Sequence, residues 1–473
     1  MAARHAAGVP HQGVATLYVA ALAMIMTVVA LLSFGAVSYP QLAAGAGAYS
    51  PLHAADAGEG GGTQEAPAGE GAPDAQGVPA GDTPTPAAPP APPSAETLAW
   101  LALPTDEKIA RAEAAVDTSG CPGCCARFAA LLGTYEGFHE GSMSNLWCIR
   151  FSKKKGLVQM RPLGNWNPVY SYYLKFATWF IGEVLLSGWL ERGGEAVWAI
   201  TDVAEVPSEL AVAACAMRIP VLAHSVLAPG APHLVWVPDF HFIEHRGYAD
   251  TVAKVEEVAP GSYRERAPQV FWRGSTTGLP GCILRGKEVG ERCQLGCEQV
   301  PRVGVVREVV RIRRPWLNVS LSNPVDFCGD ADRESNPELY AEGVREPGWA
   351  RYRGVLELDG YVNAWGGRWR AESGSVVFRV ETNWDSMYTR EMEPNVHYIP
   401  IKGDLSDLGE ATNVVTSQKE EDIERMEGVA RASRDLMRSR FTYDQVVRRV
   451  ARKLSAAWHD GTVDTYEHLC PPP

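Results

Sequence analysis

No lysine or arginine occurs between Arg4 and Lys108, while aspartate and glutamate accumulate over the same stretch. Positive charge is short over the whole chain: 44 Lys and Arg stand against 56 Asp and Glu, a formal charge of -12. A general nucleic-acid binder needs a basic field to neutralise phosphates, so that class is excluded and any anion site must be local. Paired cysteine knuckles are lacking too. Six of the ten cysteines fall into two groups, Cys121, Cys124 and Cys125 in "CPGCC", and Cys282, Cys293 and Cys297. Neither group has a second pair at the interval of a zinc module, so disulfides are the expected state and an oxidising compartment the matching environment. The "CPGC" element has no strand-turn-helix context that would make it a redox motif. No repeat period is found.

What is present begins with an apolar, uncharged run, Val14 to Val37. At about 1.5 Å per residue it reaches roughly 36 Å as a helix, enough for a bilayer and longer than the apolar core of a cleaved signal peptide. We read 14–38 as a transmembrane signal anchor that associates the chain with a membrane. Charge asymmetry about it puts 1–13 in the cytosol and the rest across the membrane. From 39 to 95 alanine, glycine and proline dominate, ending in "DTPTPAAPPAPPS". Such a segment buries too little apolar surface to offset its ordering entropy and reads as a disordered stalk.

The remainder is 46% hydrophobic on the whole-chain average, ample for a large core. Apolar runs such as "AVWAI" and "PVLAH" end in polar residues, a rhythm that suggests α/β architecture with largely parallel, buried strands. A boundary near 265 divides it into halves at 96–265 and 266–430. The segment 431–473 closes the chain with helices, the "EEDIERMEGVARASRDLMRSRF" pattern having apolar residues at helical spacing.

Two stretches of the second half have the composition of an anion site. "VFWRGSTTG" offers Arg273, Gly274, Ser275 and Thr276, where glycine admits backbone amides to a ligand and hydroxyls and guanidinium bond phosphate oxygens. "ELDGYVNAWGGRWRAESGSVVFRV" reads as a strand ending at Asp359 and Gly360, a polar loop with Asn363, Arg368 and Arg370, and a second strand entered through Gly374 and Ser375. Ligands in open α/β sheets sit beyond carboxyl ends of strands, so this loop is well placed. In the first half, Asp202 follows the apolar "AVWAI", where partial desolvation raises a carboxylate's basicity; the alternative to a base is a helix cap or turn. Asp239 in "VWVPDFHFI" is the rival base, with His241 and His245 close by, and His397 reads as a structural residue. Asn318-Val319-Ser320 is a glycosylation sequon, used only if this side faces a lumen.

"FWRGSTTG", "LDGY...GGRW...SGSVVFR" and "YTREMEPNVHYIPIKGDLSDL" resemble, in order and approximate spacing, glycosyltransferase family 90, over about Pro162 to Trp458. That family includes capsule-associated xylosyltransferases and Rumi-type protein O-glucosyltransferases. The resemblance implies a GT-B-like pair of Rossmann-type domains that transfers a sugar of the xylose or glucose class from a UDP-sugar, with inversion and with no metal or other cofactor required. The acceptor is a protein or glycan hydroxyl, and the localisation the Golgi or endoplasmic reticulum. It puts Asp202 in the role of base, Ser275 and its neighbours at the donor, and Arg368 at the diphosphate. Asp239 and His241 fall on the acceptor side. The loop after Gly366 is shorter than the family's, which leaves Arg370 a rival to Arg368, and an arginine expected just beyond "RGS" is displaced, Arg285 being its replacement. Two other readings remain: a metal-dependent GT-A transferase using Asp330 and Asp332 of "GDAD", and a non-catalytic tethered lectin or scaffold.

Overall fold

Among the described residues the strands make a six-stranded sheet, a five-stranded sheet and a two-stranded ribbon. The structure is a computed structural model that describes residues 92–132, 145–164, 166, 170–200, 214, 217, 219–227, 234–278, 296–325, 328–382 and 384–458. The expected anchor at 14–38, most of the stalk, Asp202 and Arg285 lie outside them. No helix of the described residues is long and apolar enough to cross a membrane. All described residues belong to one compact unit, Ala88–Pro473. At the very end of the expected stalk, Ser94 Oγ accepts from Thr97 N at 3.1 Å and starts the helix Ala95–Leu101.

The strands in chain order are β1 (Val116–Asp117), β2 (Leu146–Ser152), β3 (Leu157–Pro162), β4 (Gly194–Ala199), β5 (Val221–Ala223), β6 (Ser225–Leu227) and β7 (Leu234–Trp236). They continue with β8 (Ala267–Ser275), β9 (Leu317–Asn323), β10 (Tyr352–Glu357), β11 (Val376–Val380), β12 (Trp384–Ser386) and β13 (Ile399–Ile401). The first sheet runs β1-β3-β2-β4-β5-β7 and the second β13-β11-β10-β8-β9. The second sheet is parallel throughout, and in the first the two runs that suggested parallel strands, "AVWAI" at β4 and "PVLAH" at β5, pair in parallel. Val355, Leu356, Val377 and Phe378 are buried at the centre of the second sheet, where helices covering a parallel sheet demand apolar residues on both faces. The first sheet departs from expectation because β2 is antiparallel to both β3 and β4. A short turn at Lys153–Lys155 joins β2 to β3, and a connection that short permits only an antiparallel pair.

The antiparallel pair of β6 and β12 ties an element of each half together. The terminal helices do the same on a larger scale. Helix Glu420–Arg440 begins before 431, has Ile423, Met426, Val429, Ala430 and Met437 buried, and packs on β11 and on helix Gly367–Glu372. Helix Tyr443–Ala457 returns to the first half, where its stripe of Val446, Val450 and Leu454 lies against helix Ser171–Leu186 and β7. Three disulfides join described cysteines: Cys121–Cys124, Cys125–Cys148 and Cys297–Cys328. All three thiols of "CPGCC" are paired in them, in line with the expected disulfides.

Candidate functional site

β8 leads through helix Pro301–Ile312 to β9 on one side, whereas β10 leads through helix Gly367–Glu372 to β11 on the other, and β8 and β10 are neighbours. The crevice beyond their carboxyl ends is therefore the sheet's topological switch point, the place where open α/β sheets take ligands. Two loops border it, Thr276–Gly278 after β8 and Leu358–Gly366 after β10. They touch backbone to backbone: a Cβ on Gly278, which has φ +127°, would lie 3.0 Å from Gly360 O, so that position needs glycine.

Arg302 joins the two loops. It is the second residue of helix Pro301–Ile312, whose first position is a proline that needs no amide partner and whose positive end faces the crevice. Its Nε donates to Asp359 O at 2.8 Å. One terminal nitrogen donates to Ser275 O at 3.3 Å and Thr277 Oγ1 at 2.5 Å, the other to Leu358 O at 2.9 Å. All these acceptors are uncharged, and burial, together with the nearby Arg370 charge, pulls the guanidinium pKa down to about 10 against the pull of Asp359. A cation held this way gains from an anionic ligand. Sequence reading missed Arg302 because "PRVGVVREVVRI" reads as an ordinary amphipathic helix; its one signal was an arginine beside a proline at a helix start.

Arg302 and Thr277 line a cavity of about 470 Å³ whose opposite wall comes from the first half, with Tyr173, His241, His245 and Tyr248. Gly360, Asn363 and Trp365 complete its floor. Trp365 stands edge-on to Tyr173 at 5.8 Å and His241 at 5.0 Å between ring centroids, an aromatic contact between the halves. Asn363 Oδ1 is buried with no partner, an acceptor that a ligand hydroxyl or amide can satisfy. A second cavity of about 230 Å³, lined by Arg273, Gly274 and Arg370, shares Arg302, Glu346, Trp365 and Trp369 with the first. Glu346 is an exposed carboxylate on the rim of both, and it too escaped sequence reading.

The sequence-derived residues divide sharply. Gly360 and Asn363 line the larger cavity, and Arg273, Gly274 and Arg370 the smaller, but the Arg273 guanidinium is turned to β9, donating to Asn318 O at 2.8 Å and Asn318 Oδ1 at 2.6 Å. Ser275 contributes its carbonyl to Arg302, while Thr276 is closed on the loop: its hydroxyl donates to Val325 O and accepts from Val325 N, both at 2.8 Å. Arg368 lines neither cavity. It is buried, donates to Phe441 O at 2.9 Å and to Gly247 O, and pairs with Glu372 at 2.9 Å. Gly374 and Ser375 sit at the wrong end of the sheet. The crossover helix Gly367–Glu372 carries the chain back, so both precede β11 at its amino end, where Ser375 Oγ donates to Tyr352 O at 2.7 Å.

The acids are likewise sorted. Asp239 is buried at the start of helix Phe240–Glu244, where Oδ1 accepts from Phe242 N at 2.8 Å and Tyr248 Oη at 3.2 Å, and Oδ2 from Tyr388 Oη. Three donors to one carboxylate make it a structural anchor rather than an available base. Burial and the Asp239 charge push both tyrosines well above their ordinary range. His241, by contrast, is 43% exposed in its side chain and faces the cavity. Asp332 Oδ2 accepts from Gly329 N at 2.7 Å and so caps helix Asp330–Ser335, on which residues two apart do not share a face; the pair is not arranged to clasp one ion. Asn318 lies within β9 rather than in a surface loop, its carboxamide bonded to Arg273 and to Gln269. His397 is satisfied as expected, its Nδ1 accepting from Glu393 N at 2.9 Å, but in a half-buried turn rather than in the core that its apolar flanks suggested. Asp359 is the perturbed carboxyl of the site: burial raises it to about 6 against hydrogen bonds from Thr382 Oγ1 at 2.5 Å and Ala364 N at 2.9 Å.

No curated protein matches the chain. Among solved structures, that of Anabaena Alr3699/HepE in complex with UDP-glucose is similar over 72% of this chain and 98% of its own, with 12% identity and a TM-score of 0.31. The model of glycosyl transferase family 90 matches residues 246–454, the span that holds β8 to β13, Arg302 and both crevice loops. The matched span also holds the three motifs that resemble that family, "FWRGSTTG", "LDGY...GGRW...SGSVVFR" and "YTREMEPNVHYIPIKGDLSDL".

Proposed function

We propose that the chain is an inverting glycosyltransferase that binds a UDP-sugar of the xylose or glucose class in the switch-point cavity and passes the sugar to a protein or glycan hydroxyl. The observation that carries this reading is Arg302: a guanidinium with only uncharged partners, at a helix amino end, between the two loops that leave β8 and β10. In the transfer, negative charge builds on the leaving diphosphate. Arg302, the helix amino end and Thr277 stabilise it by pre-set donors, so no metal or other cofactor is required. The orphan Asn363 Oδ1 accepts a donor hydroxyl or amide. Asp202 takes the proton of the acceptor hydroxyl.

In this reading the halves 96–265 and 266–430 are the acceptor and donor domains of a GT-B-like pair, closed by 431–473. The run 14–38 anchors the chain in the Golgi or endoplasmic reticulum membrane with the catalytic part in the lumen. The test is UDP release by the purified chain from UDP-glucose and UDP-xylose, with and without EDTA. Release that survives EDTA is expected. Saturable UDP binding without release from any donor would make the chain a binding protein, and loss in EDTA with recovery in Mn²⁺ would restore the metal-dependent reading.

A further inference from the structure

Residues His241 to His245 read "HFIEH". They form helix Phe240–Glu244 and the residue that ends it, and positions three and four apart on a helix share a face. His241, Glu244 and His245 therefore stand together. His241 Nδ1 lies 3.3 Å and His245 Nε2 3.7 Å from Glu244 Oε2. One ligand atom of each residue lies within 4.8 Å of the other two. A tetrahedral ion with bonds of about 2.0–2.2 Å sets its ligand atoms roughly 3.3–3.6 Å apart, so two of the three edges are already near the required length.

Two further observations point to a ligand rather than to a plain ionic cluster. Glu244 Oε1 accepts from Tyr172 Oη at 2.5 Å, which fixes the carboxylate with its other oxygen toward the histidines, the outer-partner arrangement of ligating carboxylates. Both imidazoles also line the large cavity, with side chains 43% and 49% exposed, so an ion can reach them and keep a coordination position open to the cavity.

We propose that His241, Glu244 and His245 bind a divalent transition-metal ion of the zinc class, with three protein ligands and the remaining position open to the cavity. Two imidazoles with one carboxylate suit zinc, cobalt or nickel and disfavour magnesium and calcium, which take oxygen ligands. The open position takes a water or an oxygen of the molecule in the cavity. Leaving-group stabilisation as proposed above makes no use of this ion, so the two ideas stand or fall separately.

The test needs no transfer assay. The full chain, stripped with chelator and dialysed, is titrated with Co²⁺ followed by its visible absorption, and Zn²⁺ affinity is read by competition. One ion per chain with tetrahedral Co²⁺ absorption is expected. His241→Asn and His245→Asn should each weaken binding by about 100-fold or more, and Tyr172→Phe by about 10-fold, the usual range for an outer partner. His397→Asn should change nothing. Circular dichroism checks the fold of each variant. Less than one ion bound by the parent chain, or undiminished binding by the double histidine variant, overturns the proposal.

Discussion

Replacing Arg302 separates charge from scaffolding. Arg302→Met keeps an unbranched side chain but removes every donor, leaving three carbonyls and one hydroxyl without their partner. Hydrogen bonds to a charged group contribute about 1.5–3 kcal/mol each, but the four share one residue at a part-open cavity, where water re-solvates some acceptors and the terms do not add. We expect a loss of about 2–4 kcal/mol in urea unfolding followed by tryptophan fluorescence. UDP affinity, measured by calorimetry on the folded variant, should fall by roughly 10- to 150-fold, the equivalent of one charge-assisted contact of about 1.5–3 kcal/mol. Arg302→Lys restores the charge without the fork, since an ammonium has three donors and no planar geometry. Its stability should resemble that of the methionine variant while its UDP affinity recovers to within about tenfold of the parent. A folded methionine variant that binds UDP like the parent removes Arg302 from the site, and a lysine variant no better than methionine shows that loop geometry, not charge, governs binding.

Arg368→Met should cost about 3–5 kcal/mol of stability, because Glu372 loses its closest buried partner and two carbonyls go unmet, while UDP affinity of the folded fraction stays at the parent value. Asp359 makes stability depend on pH in a set direction. With its pKa raised from 3.8 to about 6, its contribution is fully present below about pH 4 and lost as pH rises through 6, by at most about 3 kcal/mol because part of the residue meets solvent. Asp359→Asn should therefore gain on the parent in urea midpoints at pH 8 and lose that advantage by pH 4. Asp202→Asn should leave UDP affinity intact and slow transfer by about 100-fold or more; if instead Glu346→Gln is the slow variant, the rim carboxylate is the base.

The parts of the fold that could be read from sequence are those with a period. The parallel pairing of β4 with β5 follows from the apolar runs "AVWAI" and "PVLAH", and the terminal helices from residues such as Val446, Val450 and Leu454. The antiparallel β2 escaped because its register depends on a three-residue turn, not on hydrophobic pattern. Helix Gly367–Glu372 was hidden by the glycines at its cap and first position, Gly366 and Gly367, and by its six-residue length, too short to show a helical period. That omission displaced several site residues at once, because a crossover helix moves the chain from one end of the sheet to the other.

The same helix explains why an arginine-rich loop offers the cavity so little of its charge. Arg368 on it reaches Phe441 O and Gly247 O, and so clamps the junction between the two terminal helices to the turn after helix Phe240–Glu244. Arg370 lies 3.4 Å from Glu357 and is partly neutralised by it. Of the described cations around the crevice, Arg302 alone combines contact with both cavities and uncharged hydrogen-bond partners with a place at a helix amino end. It sits on the far side of residues 279–295 from "WRGSTTG", so sequence proximity could not join them. What joins them is parallel pairing: β8 beside β9 fixes where the intervening helix begins, and β8 beside β10 fixes which loops it meets. The site's main charge is therefore a consequence of strand order, and a substitution that shifts β8 against β10 should weaken anion binding without touching any residue of the cavity.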